Sequence, residues 1–503
     1  MTRGRRWWLA AIALAAIAVP ALAWARPGGG DSYSGGGGHG GGGGSGGGGG
    51  DGGAIFELIF QLIRLCFYYP KVGIPILLLV IAFIAYGMWV KHKNKDWDSG
   101  PPVELEQSVA SIDDLLRVDP DFSRVVFEDF MFRLYATAHG ARGLPGRLDE
   151  LAPYVGPEAR AALANRPPAG QPVHGVVIGA MRTYRVSVPT ADELAAGDAV
   201  VQVGLEFEAN YSVGTGDGGK RFAVERWLVR RAATARTRPP HQDRSFPCPN
   251  CGAPWQTVDA AGTQRCPSCG EIVDNGRFDW QVVEIGLRHE RTNLPSLAEE
   301  TPERGTDLPT YRDDHLDQRW LQLTAEDPAI AEASILARLH YVYRVVNDAW
   351  TANDLGPARA VVSDGLADYL QYWLDAYKKQ GLRNVLEDMR ITHQVPAKLI
   401  RDKHFDALTI RIWGTGKDYV IKTADGSHVR GSKHRERKYS EYWTLIRSAG
   451  RKGPPKADGA CSNCGAPLTV TAAGACAHCG THVTAGEFDW VLSKIEQDDS
   501  YRG

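Results

Sequence analysis

The stretch Glu225-Arg-Trp-Leu-Val-Arg-Arg231 returns later in the chain as Glu441-Tyr-Trp-Thr-Leu-Ile-Arg447. In both copies Glu, Trp and Arg keep the spacing Glu-x-Trp-x-x-x-Arg, with Val229 or Leu445 between Trp and Arg. Side chains alternate along a strand, so these four positions share one face. Upstream of each copy lies a run with period two, Val201–Phe207 and Leu408–Ile412, as expected for half-buried strands. Farther upstream an Asp-Pro pair opens each unit, Asp119-Pro120 and Asp327-Pro328. There Asp is a candidate N-cap and Pro takes the first helical position. Amphipathic helices follow, with Phe122, Val126, Phe130 and Leu134 as one stripe and Ile335, Leu339, Val342, Val346 and Trp350 as the other.

Downstream, each copy carries four cysteines and then Phe-Asp-Trp, Phe278-Asp279-Trp280 and Phe488-Asp489-Trp490. The chain is therefore an internal duplication, with domains at 119–291 and 327–497 joined by a linker at 292–326. Helices first and strands after predict an α+β domain with helices packed on one curled antiparallel sheet. The cysteine modules, at 246–277 and 460–487, interrupt the last β-connection of each domain.

Four C-x2-C pairs account for eight of the nine cysteines. Cys248, Cys251, Cys266 and Cys269 form the first set; Cys461, Cys464, Cys476 and Cys479 form the second. Two such knuckles at ribbon spacing let four thiolates converge tetrahedrally on one ion. A glycine follows the second cysteine of every pair (Gly252, Gly270, Gly465, Gly480), where the chain must turn tightly. Structural zinc is the expected cofactor, one ion per ribbon, and iron in a rubredoxin-like site is the alternative. Four sulfurs leave no open coordination position for hydrolytic chemistry. His478 and His482 read as surface residues of ribbons already supplied with ligands.

The chain has 57 Lys+Arg against 59 Asp+Glu, and both ribbons are acidic or nearly uncharged, which argues against nucleic acid. Two basic stretches stand out: Arg230, Arg231, Arg236, Arg238 and Arg244, and Arg430, Lys433, Arg435, Arg437 and Lys438. They are candidates for contact with anionic lipid heads. Glu225 and Glu441 are expected to pair with an arginine, such as Arg231 or Arg447 or one on a neighbouring strand.

The N-terminal part reads as membrane topology. Residues 1–25 have a basic start, an apolar run and Ala23-Trp24-Ala25, the pattern of a cleaved signal peptide. Residues 26–53 hold 19 of the 57 glycines and should form a flexible coil. Residues 54–70 resemble an interfacial amphipathic helix, with Cys66 a small hydrophobe within it. Residues 71–91 are expected to span the bilayer, since Val72–Val90 is uncharged and about 28 Å long as a helix. Lys91, Lys93 and Lys95 follow, so the juxtamembrane linker at 92–118 and both domains should be cytoplasmic and the Gly-rich segment outside. Thiolates are at home in that reducing compartment.

The order of membrane segment, amphipathic helix, strands and Glu-x-Trp ending in Arg resembles the Tim44-like domain. The likeness is strongest over Asp327–Arg447, in Lys417-Asp-Tyr-Val-Ile421, Gly431-Ser432 and Ser440-Glu-Tyr-Trp443. The first copy, Asp119–Arg231, is similar but more diverged. The resemblance implies a cystatin-like or nuclear-transport-factor-two-like fold, placement in a bacterial inner membrane, and contacts with a protein partner or anionic lipid. It supplies no catalytic residues, and the sequence holds no nucleophile–base pair, Walker loop or open metal motif. The expected role is binding or scaffolding rather than catalysis. The alternatives are a pocket-containing carrier or enzyme of the same fold, or an iron redox module.

Overall fold

The computed structural model describes residues 64, 68–93, 111–197, 199–215, 219–238, 246–255, 264–292, 305–455, 459–461, 464–471, 475–480, 489–498, 501 and 503. The expected signal peptide and Gly-rich coil, Cys66 and nearly all of the expected interfacial helix lie outside the described residues.

Helix α1 runs Pro70–Lys93, with Pro75 in its second turn, where a proline costs an N-terminal helix little. Its backbone is helical throughout, but the described side chains are interrupted along it. Among the described residues no helix is long and apolar enough to cross a membrane.

The first unit contains α2 (Arg124–Ala141), α3 (Pro157–Ala164), β1 (Val173–Ser187), the short α4 (Ala191–Ala196), β2 (Val200–Val213), β3 (Lys220–Ala232) and β4 (Gln281–Arg291). Its four strands form an antiparallel sheet in chain order. The second unit contains α5 (Leu316–Glu326), α6 (Glu332–Ala352), α7 (Asp364–Lys379), β5 (Leu382–Arg401), β6 (Phe405–Lys422), β7 (His428–Gly431), β8 (Arg437–Ser448) and β9 (Val491–Gln497). Its sheet runs β5-β6-β8-β9, with β7 hydrogen-bonded to β6. The protein is thus α+β, with two antiparallel sheets packed by helices.

The duplication extends to main-chain detail. Val155, just before α3, makes a parallel bridge to Val282 on β4; Val362, just before α7, makes one to Leu492 on β9. Gly156 N–H donates to Val282 O and Ser363 N–H to Leu492 O, both at 2.8 Å. This pins the start of α3 to β4 and the start of α7 to β9, the last strand of each sheet. The two cores are built alike: Phe127, Met131, Leu134, Phe207 and Trp227 in the first, and Leu339, Val342, Val346, Ile410 and Trp443 in the second.

Three expectations need correction. Asp119 and Asp327 are not N-caps. Ser123 caps α2 by accepting from Val126 N–H at 3.3 Å, and Asp327 instead closes α5. Both carboxylates are drawn to buried arginines, which reward them more than a helix end does. Second, the buried face of α2 is Phe127, Met131, Leu134, Tyr135 and Ala138, whereas Val126 and Phe130 are only half-buried. The sheet takes the neighbouring face because helical stripes one residue apart differ by only about 100°. Third, the expected linkers are partly core. Ile112 and Leu115 bury in the first core, and Leu316 and Leu323 of α5 bury in the second. Residues Gly305, Thr306 and Leu308 cross the back of the second sheet, their carbonyls accepting from the buried Arg411 guanidinium.

The units also touch. Val125 of α2 packs with Ala407, Ile446 and Val491 of the second sheet, and Lys494 pairs with Glu128.

Candidate metal centres

Each cysteine module leaves its sheet after the Glu-x-Trp strand and returns at Phe-Asp-Trp, between β3 and β4 and between β8 and β9. The knuckles form because glycine lets the chain reverse. Gly252, Gly270, Gly465 and Gly480 sit at φ between 72° and 75°, a left-handed conformation that other residues adopt at a cost. Their N–H groups donate to the first cysteine's carbonyl, Gly252 to Cys248 at 2.9 Å and Gly270, Gly465 and Gly480 to their partners at 2.8 Å. The turn frees the intervening amides to face sulfur.

The result is two four-cysteine clusters, each with all its sulfurs within 4.8 Å of one another. The Cys248 and Cys269 sulfurs are 3.9 Å apart, as are those of Cys251 and Cys266, and the Cys461 and Cys479 sulfurs are 3.8 Å apart. A regular tetrahedron with metal–sulfur bonds of about 2.3 Å has an edge of about 3.8 Å, so the donor sets fit zinc. All eight cysteines are unbridged. In both sets the first cysteine of each knuckle is buried and the second cysteine of the first knuckle is exposed. Burial opposes ionisation of Cys266, but the N–H groups of Cys269 and Ser268 outweigh it and bring the thiol down to about 7. Asn250 Nδ2 adds a contact to Cys269 Sγ at 3.4 Å. His478 is exposed and takes no part in the second cluster; His482 lies outside the described residues.

The sequence landmarks of the duplication meet at the base of each ribbon. Arg231 Nη2 pairs with Asp119 at 2.7 Å, and its guanidinium lies 4.6 Å from the Trp280 ring centre. Arg447 pairs with Asp327 at 3.1 Å and Asp406 at 2.9 Å, 5.0 Å from the Trp490 ring centre. The chain leaving each strand is tied to the same carboxylate: Thr237 N–H donates to Asp119 at 2.8 Å and Gly453 N–H to Asp327 at 3.0 Å. Asp-Pro, the strand Arg and the Phe-Asp-Trp Trp are thus one buried clamp holding the ribbon's two stalks.

Glu225 and Glu441 therefore do not pair with Arg231 and Arg447. Glu225 instead takes Arg166 Nη1 at 2.6 Å, the Tyr135 hydroxyl at 2.7 Å, Trp227 Nε1 at 3.1 Å and His139 Nε2 at 3.2 Å. Burial pushes its carboxyl up, but His139, Arg166 and Trp227 outweigh that and hold it well below the usual glutamate range. Burial pushes the His139 imidazole down, favouring its neutral form. Glu441 accepts from Trp443 Nε1 at 2.9 Å and Gln497 Nε2 at 3.3 Å. Sequence reasoning missed His139, Arg142 and Arg166. A histidine one turn beyond Tyr135 on an apolar helix face was the available signal.

The basic stretches are largely used inside the fold. Arg231 is in the clamp, and Arg236 donates to the Val118 carbonyl at 2.8 Å. Arg430 is buried against the Tyr377 hydroxyl, and Arg437 is buried 3.5 Å from Asp418. Lys433 and Lys438 remain exposed; Arg244 lies outside the described residues.

Residues 318–455 match the family model of the Tim44-like domain, and this segment is such a domain. The match starts in α5, eight positions after Thr310, and so includes the helix read as linker. No curated protein shows a significant match to the chain.

Proposed function

We propose, with that Tim44-like domain as the premise, that this is a membrane-anchored binding protein presenting two related domains, each braced by a zinc ribbon. Helix α1 carries the reading. Val72, Ile74, Ile76, Leu78, Leu79 and Ile81 are all exposed on it. At 100° per residue these positions fall on two opposite sides of the helix, Val72, Ile76 and Leu79 on one and Ile74, Leu78 and Ile81 on the other, not along one stripe. A helix with exposed apolar residues on opposite sides needs an apolar medium around it, and among the described residues no other element covers it. The uncharged Val72–Val90 segment matches a bilayer's hydrocarbon thickness, and the lysines after it favour a cytoplasmic location for both domains.

In this reading each domain is of the cystatin-like or nuclear-transport-factor-two-like kind, and its ribbon is structural. Four cysteine sulfurs at tetrahedral separations would hold zinc, which stabilises the ribbon fold and leaves no site for substrate. Cys248, Cys251, Cys266 and Cys269 would bind one ion and Cys461, Cys464, Cys476 and Cys479 the other. The work of the molecule is then recognition of a protein partner or an anionic lipid surface at the membrane. Lys433 and Lys438 are the exposed cations best suited to the lipid. Membrane fractionation with a reporter fused after Gly503 tests the anchor. The fusion should sediment with membranes, resist carbonate extraction and report a cytoplasmic C-terminus. A carbonate-soluble protein, or a reporter on the far side, overturns the reading.

A further inference from the structure

We propose that the first unit binds a small oxyanion, a carboxylate or phosphate group, between Arg142 and Arg166. Both guanidiniums come from helix ends, Arg142 closing α2 and Arg166 just after α3, and both lie against Tyr211 of β2, at 5.2 Å and 6.0 Å from its ring centre. Each residue is 7% exposed. Arg166 uses only Nη1 on Glu225, leaving Nε and Nη2 unpaired among the described residues. Those two nitrogens form the side-on fork of a guanidinium, whose parallel N–H bonds match the two oxygens of a carboxylate or phosphate. Arg142 has Nη1 and Nη2 both buried and unpaired among the described residues, the end-on fork of a second guanidinium.

The charge count points the same way. Glu225 contributes -1 and the two arginines +2, so the cluster is positive whichever form His139 takes. Glu290, which takes the Tyr211 hydroxyl at 3.3 Å, is already paired with Arg221 at 3.3 Å. A cation over an aromatic ring gains less than desolvating the ion costs. Buried water would satisfy the N–H groups but not the charge; a monoanion satisfies both. Among the described residues the equivalent place in the second unit has no such pair of arginines. Offsetting by the 208 positions between Asp119 and Asp327 puts Asn347 at the place of His139 and Trp350 at that of Arg142. The Trp350 indole is buried and donates to Asn384 Oδ1 at 2.7 Å, so that place is filled by a neutral, satisfied group. The inference is independent of the membrane and zinc readings.

The test uses the full chain in nonionic detergent, with chloride as the only small anion at constant ionic strength. Acetate, dimethyl phosphate and inorganic phosphate are added separately while Tm is followed by tryptophan fluorescence. At least one should raise Tm. At about 100 times its Kd the unfolding equilibrium shifts roughly a hundredfold. The preferred probe distinguishes a carboxylate ligand, a phosphodiester lipid head and free phosphate. Arg142→Met should abolish the rise while keeping Tm in chloride at or above that of the natural chain, because an unpaired buried charge is removed. A Tm unmoved by all three oxyanions overturns the proposal. So does an Arg142→Met protein that keeps the rise, or one already destabilised in chloride.

Discussion

Replacing Glu225 with alanine probes the centre of the first unit. The carboxylate is fully buried and gathers four donors: Tyr135, His139, Arg166 and Trp227. Removal leaves the Arg166 guanidinium without its counter-ion and Trp227 Nε1 without an acceptor. Breaking a buried pair from one side costs about 3–5 kcal/mol. Hydrogen exchange measured by mass spectrometry reads this locally, through the amides that pair β2 with β3, Val203 with Val229 and Leu205 with Trp227. At about 1.4 kcal/mol per tenfold change, exchange there should accelerate by roughly two to four orders of magnitude. Glu225→Gln keeps the shape but loses the ion pair, and should cost about 1.5–3 kcal/mol. The sign with pH is fixed as well. A carboxyl depressed below its ordinary value of 4.5 contributes stability that is present above that value and lost as pH falls through the native one. Less than a tenfold acceleration in Glu225→Ala would refute the view that this cluster is a major support of the sheet.

Elemental analysis of reduced protein should find two zinc ions per chain, and Cys266→Ser should leave one; two ions in that variant would dissolve the assignment of the first cluster. Glu128 is held at about 2, burial raising it but Lys494 and Arg124 outweighing burial, so its contribution is present above 4.5 and lost as acid lowers the pH towards 2. Glu128→Gln should therefore be less stable at pH 7 yet show a shallower acid slope, and equal slopes in denaturant titrations would count against this tie between the units. Burial, reinforced by Arg124, pushes Lys398 down to about 8. The unfolded chain then holds the extra proton between about 8 and 10.5, so stability should rise with pH across that window, and Lys398→Met should raise Tm at pH 7 and remove the rise.

Much of the fold is legible in local patterns. The period of two around Trp227 and Trp443 identifies half-buried strands, and the α6 stripe from Ile335 to Trp350 buries as its spacing demands. The knuckles are legible because the two cysteines and glycine of each lie within five residues, and a short closed loop has little freedom to place them otherwise. Repetition of the same order of elements is enough to identify two related units.

What the sequence leaves open is which distant partner each charged group takes. Glu225 and Arg231 share one strand face, but six residues along a strand put about 20 Å between them, and Arg231 meets Asp119 from the segment before α2 instead. Arg166 is 59 positions from Glu225 and becomes its partner only when α3 closes over the sheet. The same holds for the basic stretches, whose Arg231, Arg430 and Arg437 read as surface charge until packing buries them. Sequence periodicity determines which faces are apolar, because burial there is non-directional and every apolar neighbour serves alike. Tertiary structure alone decides the ion pairs, because a desolvated charge needs one partner at hydrogen-bonding distance, and only the assembled helices and sheet supply it.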